Sequence, residues 1–213
     1  MTTVPGTNTD LTPAPRASGI DEATRAARRV IAALLHNGDG IPGEENRPDL
    51  DRITARLDGI ADDLERTAPT VEARLAAMWR GPDSRHDPAS GSENPLAPPM
   101  QLTGTDDGSV SGTVTLGLPY QGPPGHVHGG VSALLLDHAL GVANHWGGLS
   151  GMTAELTLRY RRPVPLFEPL TITGRQLSTD GRKISTIGSV SARGEECVTA
   201  EGVFIAKQLP LPD

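Results

Sequence analysis

The sequence has a single cysteine, Cys197, in 213 residues. That excludes an internal disulfide framework and a cysteine-built zinc site, and it fits a reducing compartment. Aromatic residues are nearly as scarce, two each of Trp, Tyr and Phe, so a core must be assembled from Leu, Val, Ile and Ala. No apolar run approaches the roughly 18 residues that a membrane-spanning helix needs. The opening MTTVPGTNTDLTPAPR lacks the basic-then-apolar order of a secretory signal. Positive charge is short as well: a net charge of −7 has the wrong sign for a phosphate-backbone binder. From these absences the default expectation is a soluble cytoplasmic protein that neither spans a membrane nor reads nucleic acid. Gly and Pro are plentiful, at 25 and 19 residues, yet below the share that marks a low-complexity chain. The length suits one ordinary domain with an appendage.

The apolar residues divide the chain. Residues 1–18 carry too little apolar surface to offset ordering entropy and read as a disordered tail. Ser18 and Asp21 read as a capping box opening a helix over 20–36, with the stripe Ile20, Ala27, Val30, Ile31 and Leu34. A second helix over 49–66 sets Leu50, Ile53, Leu57, Ile60 and Leu64 at alternating spacings of three and four. A third over 70–80 carries Val71, Leu75, Met78 and Trp79. The expected domains are thus a tail (1–18), a helical N-terminal extension (19–81), a linker of Gly, Pro and Ser (82–94) and a main domain (95–208). About 60 residues make only a marginal core alone, so the extension is expected to lay its stripes on the main domain or a partner subunit.

Past residue 95 the period changes. Residues 109–116 alternate and read as a strand. Residues 152–161 alternate too, placing Met152, Ala154, Leu156, Leu158 and Tyr160 on one face and Thr153, Glu155, Thr157, Arg159 and Arg161 on the other. Three more strands follow (170–177, 184–192, 197–206), with Asp180-Gly181 and Arg193-Gly194 as hairpin turns. Between the first two strands lies one helix, 131–144, apolar nearly all round and so buried on most sides. The expected order is strand, helix, then a meander of four antiparallel strands. The class is α+β, a single sheet curled around one central helix.

The chemistry lies in YQGPPGHVHGGVSALLLDHALG, residues 120–141. Two glycines after His128 open the helix, where unpaired N–H groups and the positive end of the helix dipole suit an oxyanion hole. Asp137 falls nine positions after His128, amid leucines. A carboxylate there is costly unless paired. Two explanations stay open: a general base or nucleophile on an acyl carbon, or a carboxylate that faces solvent or pairs with Arg159 or Arg161. His126, His128 and His138 lack metal-ligand spacing, and no metal or other cofactor is expected. Cys197 reads as a small buried residue.

The HGG, the helix acid, the following Thr153 and the strand MTAELTLRYRRPVP together resemble the hotdog-fold acyl-CoA thioesterases of the PaaI-like branch, over roughly residues 94–207. The resemblance implies that Asp137 attacks or activates water against the thioester and that the Gly129 amide polarises its carbonyl. It implies that His128 positions the group and that Thr153 assists the acid. Gly130 and Gln121 would line the substrate; Gln121 stands where many relatives carry Asn or Gln ahead of the loop. Arg159, Arg161 and Arg162 form a basic patch with two readings open, a seat for the CoA phosphates or a solvated strand face that guards an edge. The resemblance also implies acyl-CoA as the substrate partner and a homodimer or dimer of dimers, with acid and oxyanion hole supplied by different subunits.

Two other functions compete. A hotdog hydratase or dehydratase would use a His and an acid, but its D-x-N-P-x-H-type signature is missing. A non-catalytic acyl-CoA-binding regulator with a DNA-binding N-terminal module needs a basic face. Acids outnumber arginines across the first hundred residues, which contain no Lys.

Overall fold

The computed structural model describes residues 19–37, 48–78, 84–105 and 107–206. Three helices come first: α1 (Gly19–His36), α2 (Leu50–Thr67) and α3 (Val71–Met78). Strands β1 (Gln101–Gly104) and β2 (Ser109–Thr115) precede helix α4 (Gly129–Trp146). Strands β3 (Gly151–Tyr160), β4 (Pro169–Asp180), β5 (Lys183–Ala192) and β6 (Glu195–Ala206) complete the chain. The tail, the Ser18 cap and Trp79–Arg80 lie outside the described residues. No helix among the described residues is long and apolar enough to cross a membrane.

All six strands form one antiparallel sheet in the order β1-β2-β4-β5-β6-β3, wrapped around α4 with the helical extension outside it. This is the α+β hotdog architecture. Leu135, Leu136, Ala139 and Leu140 of α4 are buried in one core with Leu170, Ile172, Ile184, Val198 and Phe204 of the sheet. Glycines let the helix sit close. A Cβ at Gly174 would lie 2.7 Å from the Ala139 carbonyl oxygen, and one at Gly202 would lie 2.8 Å from Leu140 Cδ1. At the far end of α4, buried Asn144 accepts a hydrogen bond from Thr186 of β5.

Three expectations about the sheet change. Strand β1 is not visible in the sequence pattern, because four residues carry too little alternation to register. The meander holds for β4, β5 and β6 but not for β3, which pairs with β6 at the far edge rather than with β4. The connection over 161–168 contains Pro163 and Pro165, which favour an extended crossing over a hairpin turn. The β5–β6 turn, in contrast, has positive φ at both Arg193 (54°) and Gly194 (79°), as a two-residue type I′ hairpin demands.

The third change is the facing of β3. Thr153 pairs with Phe204 and Glu155 with Val203, so Ala154 is one extra residue on β3, a β-bulge. Side-chain alternation resets there. Thr153 therefore shares the α4 side of the sheet with Leu156, Leu158 and Tyr160, the opposite of strict alternation.

The composition of 82–94 suggests a linker, yet from residue 84 the chain is folded onto the domain. Ala89 and Ala97 are fully buried. Ser90 Oγ lies 2.8 Å from His138 Nε2, and Asp87 Oδ1 lies 3.3 Å from His138 Nδ1. Helix α1 docks on this segment through Arg28, which donates to the carbonyls of Ala97 (3.0 Å), Gly91 (2.9 Å) and Asn94 (2.7 Å).

Candidate active site

The loop leading into α4 is a small folded-back ribbon. Gln121 bridges Val127 across it, and His126 N–H donates to Pro123 O at 2.9 Å to close the turn. Pro124 and Gly125 (φ 78°) occupy the central positions that a type II turn reserves for Pro and Gly. His128 N–H donates to Tyr120 O at 2.9 Å, and a Cβ at Gly122 would lie 2.7 Å from His128 Cα. Glycine at 122 thus admits the backbone of His128, which then caps α4. Its Nδ1 accepts from Gly130 N–H at 3.0 Å, so a neutral imidazole there carries its proton on Nε2.

The capping leaves one donor free. Among the first four N–H groups of α4, Val131 and Ser132 donate to His128 O and Gly130 to the His128 ring. Gly129 N–H has no partner among the described residues, and it sits at the positive end of the dipole of α4. The Gly129 carbonyl accepts from Tyr160 Oη at 2.9 Å, which ties this helix end to the C-terminal end of β3. The sequence marks Tyr160 only as sharing a strand face with Leu156 and Leu158. Its polar tip at the end of an apolar strand face is the signal that could have found it.

Thr153 Oγ1 donates to Asp137 Oδ1 at 2.8 Å. Asp137 is half-buried and forms no ion pair with Arg159 or Arg161, so the arginine-paired explanation does not hold. The bulge at Ala154 creates this contact, since without it Thr153 would face away from α4. Asp137 and Thr153 come together, as do His128, Gly129, Gly130 and Tyr160. The two groups do not meet within one chain. Asp137 is eight residues beyond Gly129, which at 1.5 Å per residue is about 12 Å along the helix.

Other candidates lie elsewhere. Gln121 is exposed beside the loop ribbon. Arg159 and Arg161 line a groove of about 520 Å³ with Thr173, Arg175, Ser189 and Thr199, on the sheet face opposite α4. Asp107, Glu196 and Glu201 line it as well, so its charge balance gives a polyphosphate no preference. Hydrogen bonds from the side chains of Ser109 and Thr105 hold the Asp107 carboxyl at about 2, so it is charged at neutral pH. The histidines do not converge, and no group of three His, Cys, Asp or Glu among the described residues could hold a metal ion. Cys197 is buried.

The chain is similar to proteins of one kind. A family model described as "Thioesterase superfamily" matches residues 124–196, and one described as "Hypothetical protein RHA1_ro05818, N-terminal helical domain" matches residues 11–73. The crystal structure of protein RHA08564, a thioesterase superfamily protein, is 57% identical, with a TM-score of 0.78 over 90% of this chain and 97% of its own. Thioesterase superfamily member 2 of zebra fish is 16% identical and shares the fold, with a TM-score of 0.51 over 66% of this chain and 100% of its own. Acyl-coenzyme A thioesterase THEM4 of Bos taurus is 38% identical over 92 residues, 42% of this chain and 38% of the relative. This chain therefore spans well under half the length of the curated relatives it matches.

Proposed function

Because this chain belongs to the thioesterase superfamily of hotdog-fold thioester hydrolases, we propose that it hydrolyses an acyl-CoA thioester to a free acid and CoA, in a site shared by two copies of the chain. One observation carries this: Asp137 and Gly129 are anchored at opposite ends of the same edge strand. Thr153 near the start of β3 holds Asp137, and Tyr160 at its end holds Gly129. Among the described residues strand β3 pairs with β6 on one side only. Its Met152 and Tyr160 are 55% and 57% exposed, and a long open edge of this kind invites strand pairing.

A two-fold axis through the middle of β3 pairs it antiparallel with its copy and exchanges the two ends. The Asp137 end of one protomer then faces the Gly129 end of the other. The thioester carbonyl oxygen takes the free Gly129 N–H of one subunit. Asp137 of the other either removes a proton from water as it attacks the carbonyl carbon or attacks that carbon itself, and in the second route water then hydrolyses the acyl-Asp137 anhydride to release the acid. The tetrahedral oxyanion is stabilised by the amide and the helix dipole, and its collapse expels the CoA thiolate, which takes up a proton. Thr153 orients Asp137 through its hydrogen bond. His128 stiffens the helix start, and because its Nδ1 is committed to Gly130 it is poorly placed for the paired acid–base work of a hydratase.

The test is thiol release from a panel of acyl-CoA esters, with Asp137→Asn as the control. A general base contributes about 10²–10⁴-fold, and loss of that order is expected in the variant. Undiminished thiol release from Asp137→Asn rejects the assignment.

A further inference from the structure

We infer that α2 is a self-association arm, which pairs antiparallel with α2 of a second copy of this chain. Its apolar residues Leu50, Ile53, Leu57, Ile60 and Leu64 alternate by three and four. That is the narrow seam of a helix that packs on another helix, rather than the broader stripe of a helix lying on a sheet. No residue of α2 is buried. Leu50, Ile60 and Leu64 are 51%, 56% and 59% exposed, and no described element covers the seam.

The charges beside the seam select both the partner and its direction. With Leu50, Leu57 and Leu64 at the first heptad position and Ile53 and Ile60 at the fourth, one flank carries Arg56 and Asp63 and the other Thr54 and Ala61. In an antiparallel pair, Leu57 faces Ile60 of the copy, and Ile53 faces its Leu64. The same register sets Arg56 opposite Asp63 of the copy, twice by symmetry. On the other flank Thr54 meets Ala61 of the copy, and both are small and uncharged enough to let the helices approach closely. A parallel pair would set Arg56 against Ala61 and leave the charges unused. The existing contact of Asp63 with Arg66 (3.0 Å) is an exposed pair within the helix; such pairs contribute little, so it does not hold Asp63 back.

Disulfide trapping in the full chain tests the pairing. Arg56→Cys/Asp63→Cys places two thiols seven residues apart, about 10.5 Å along one helix, beyond the ~7 Å Cα separation that a disulfide within one chain tolerates. Native Cys197 is buried. Mild oxidation should give a covalent dimer on a non-reducing denaturing gel, at least about tenfold more than either single-cysteine variant gives through collisions. Adding Ile60→Asp, at an exposed position that leaves the sheet domain intact, should abolish that dimer. Equal crosslinking by single and double variants, no covalent dimer, or a dimer indifferent to Ile60→Asp would each overturn the inference.

Discussion

The free amide of Gly129 can be removed almost without disturbing the fold. Gly129 is the first residue of α4, where proline is favoured because its missing N–H is an orphan in any case. His128 before it has φ −62° and ψ 135°, the extended region that a residue preceding proline prefers. A Cβ at 129 comes no nearer than 3.5 Å to any group, the nearest being the Tyr160 ring. Gly129→Pro should therefore change stability by no more than about 0.5 kcal/mol. Loss of one oxyanion donor costs about 2.7–4 kcal/mol in the transition state, or about 10²–10³ in kcat. Gly129→Ala keeps the N–H and meets the same 3.5 Å contact, so it should retain most activity. Thiol release under saturating acyl-CoA, with melting temperatures for all three proteins, makes the comparison. A proline variant that melts like the parent and keeps its kcat within about threefold would refute the oxyanion role.

Mixing Asp137→Asn with Gly129→Pro protein under subunit exchange should restore about a quarter of parental activity, because half the dimers are mixed and each regains one intact site; a mixture as inactive as its components would place both groups in the same protomer. Thr153→Val keeps the β-branched shape and removes the hydroxyl from Asp137. It should lower kcat by about 5–30-fold, since a hydrogen bond to an exposed carboxylate is worth about 1–2 kcal/mol, with the melting temperature unchanged by calorimetry. Arg28→Ala abandons four carbonyls and should loosen α1 by about 2–3 kcal/mol, seen as faster amide exchange in α1 while sheet amides stay protected. Burial raises the Tyr120 phenol above its ordinary 10.0, with Arg28 partly opposing. Its contribution to α1 docking is complete below pH 10 and fades as pH climbs through the raised value, so proteolysis of α1 should quicken there, and Tyr120→Phe should flatten that dependence.

Helix boundaries are legible because spacings of three and four leave few alternatives: 20–36 and 49–66 are expected, and Gly19–His36 and Leu50–Thr67 are found. The central helix is legible from a different signal, apolarity on all sides. What escapes is long-range pairing. Nothing in a strand's own residues says which neighbour it takes, and β3 leaves β4 for β6. The segment 84–100 escapes for a related reason. Its Gly, Pro and Ser content is that of a linker, but its order comes from distant partners, with Arg28 on its carbonyls and His138 beside Ser90 and Asp87.

The site shows why local periodicity and chemistry can disagree. Residue types at 128, 129, 137 and 153 point to an acid and an oxyanion amide, while alternation along β3 turns Thr153 away from the helix that carries Asp137. Both cannot hold on a regular strand. The resolution is one inserted residue, Ala154, which reverses the facing of everything before it. An alanine among alternating residues leaves no mark of this, because it is tolerated on either face. A polar Thr on the helix side at the edge of an apolar core has little to recommend it except a partner, and Asp137 is that partner at 2.8 Å. The same edge position keeps the pair beside the unpaired side of β3, where a second chain can bring its Gly129 amide. Removing Ala154 would restore strict alternation and turn Thr153 outward, so the bulge is as necessary to the acid as the hydroxyl itself.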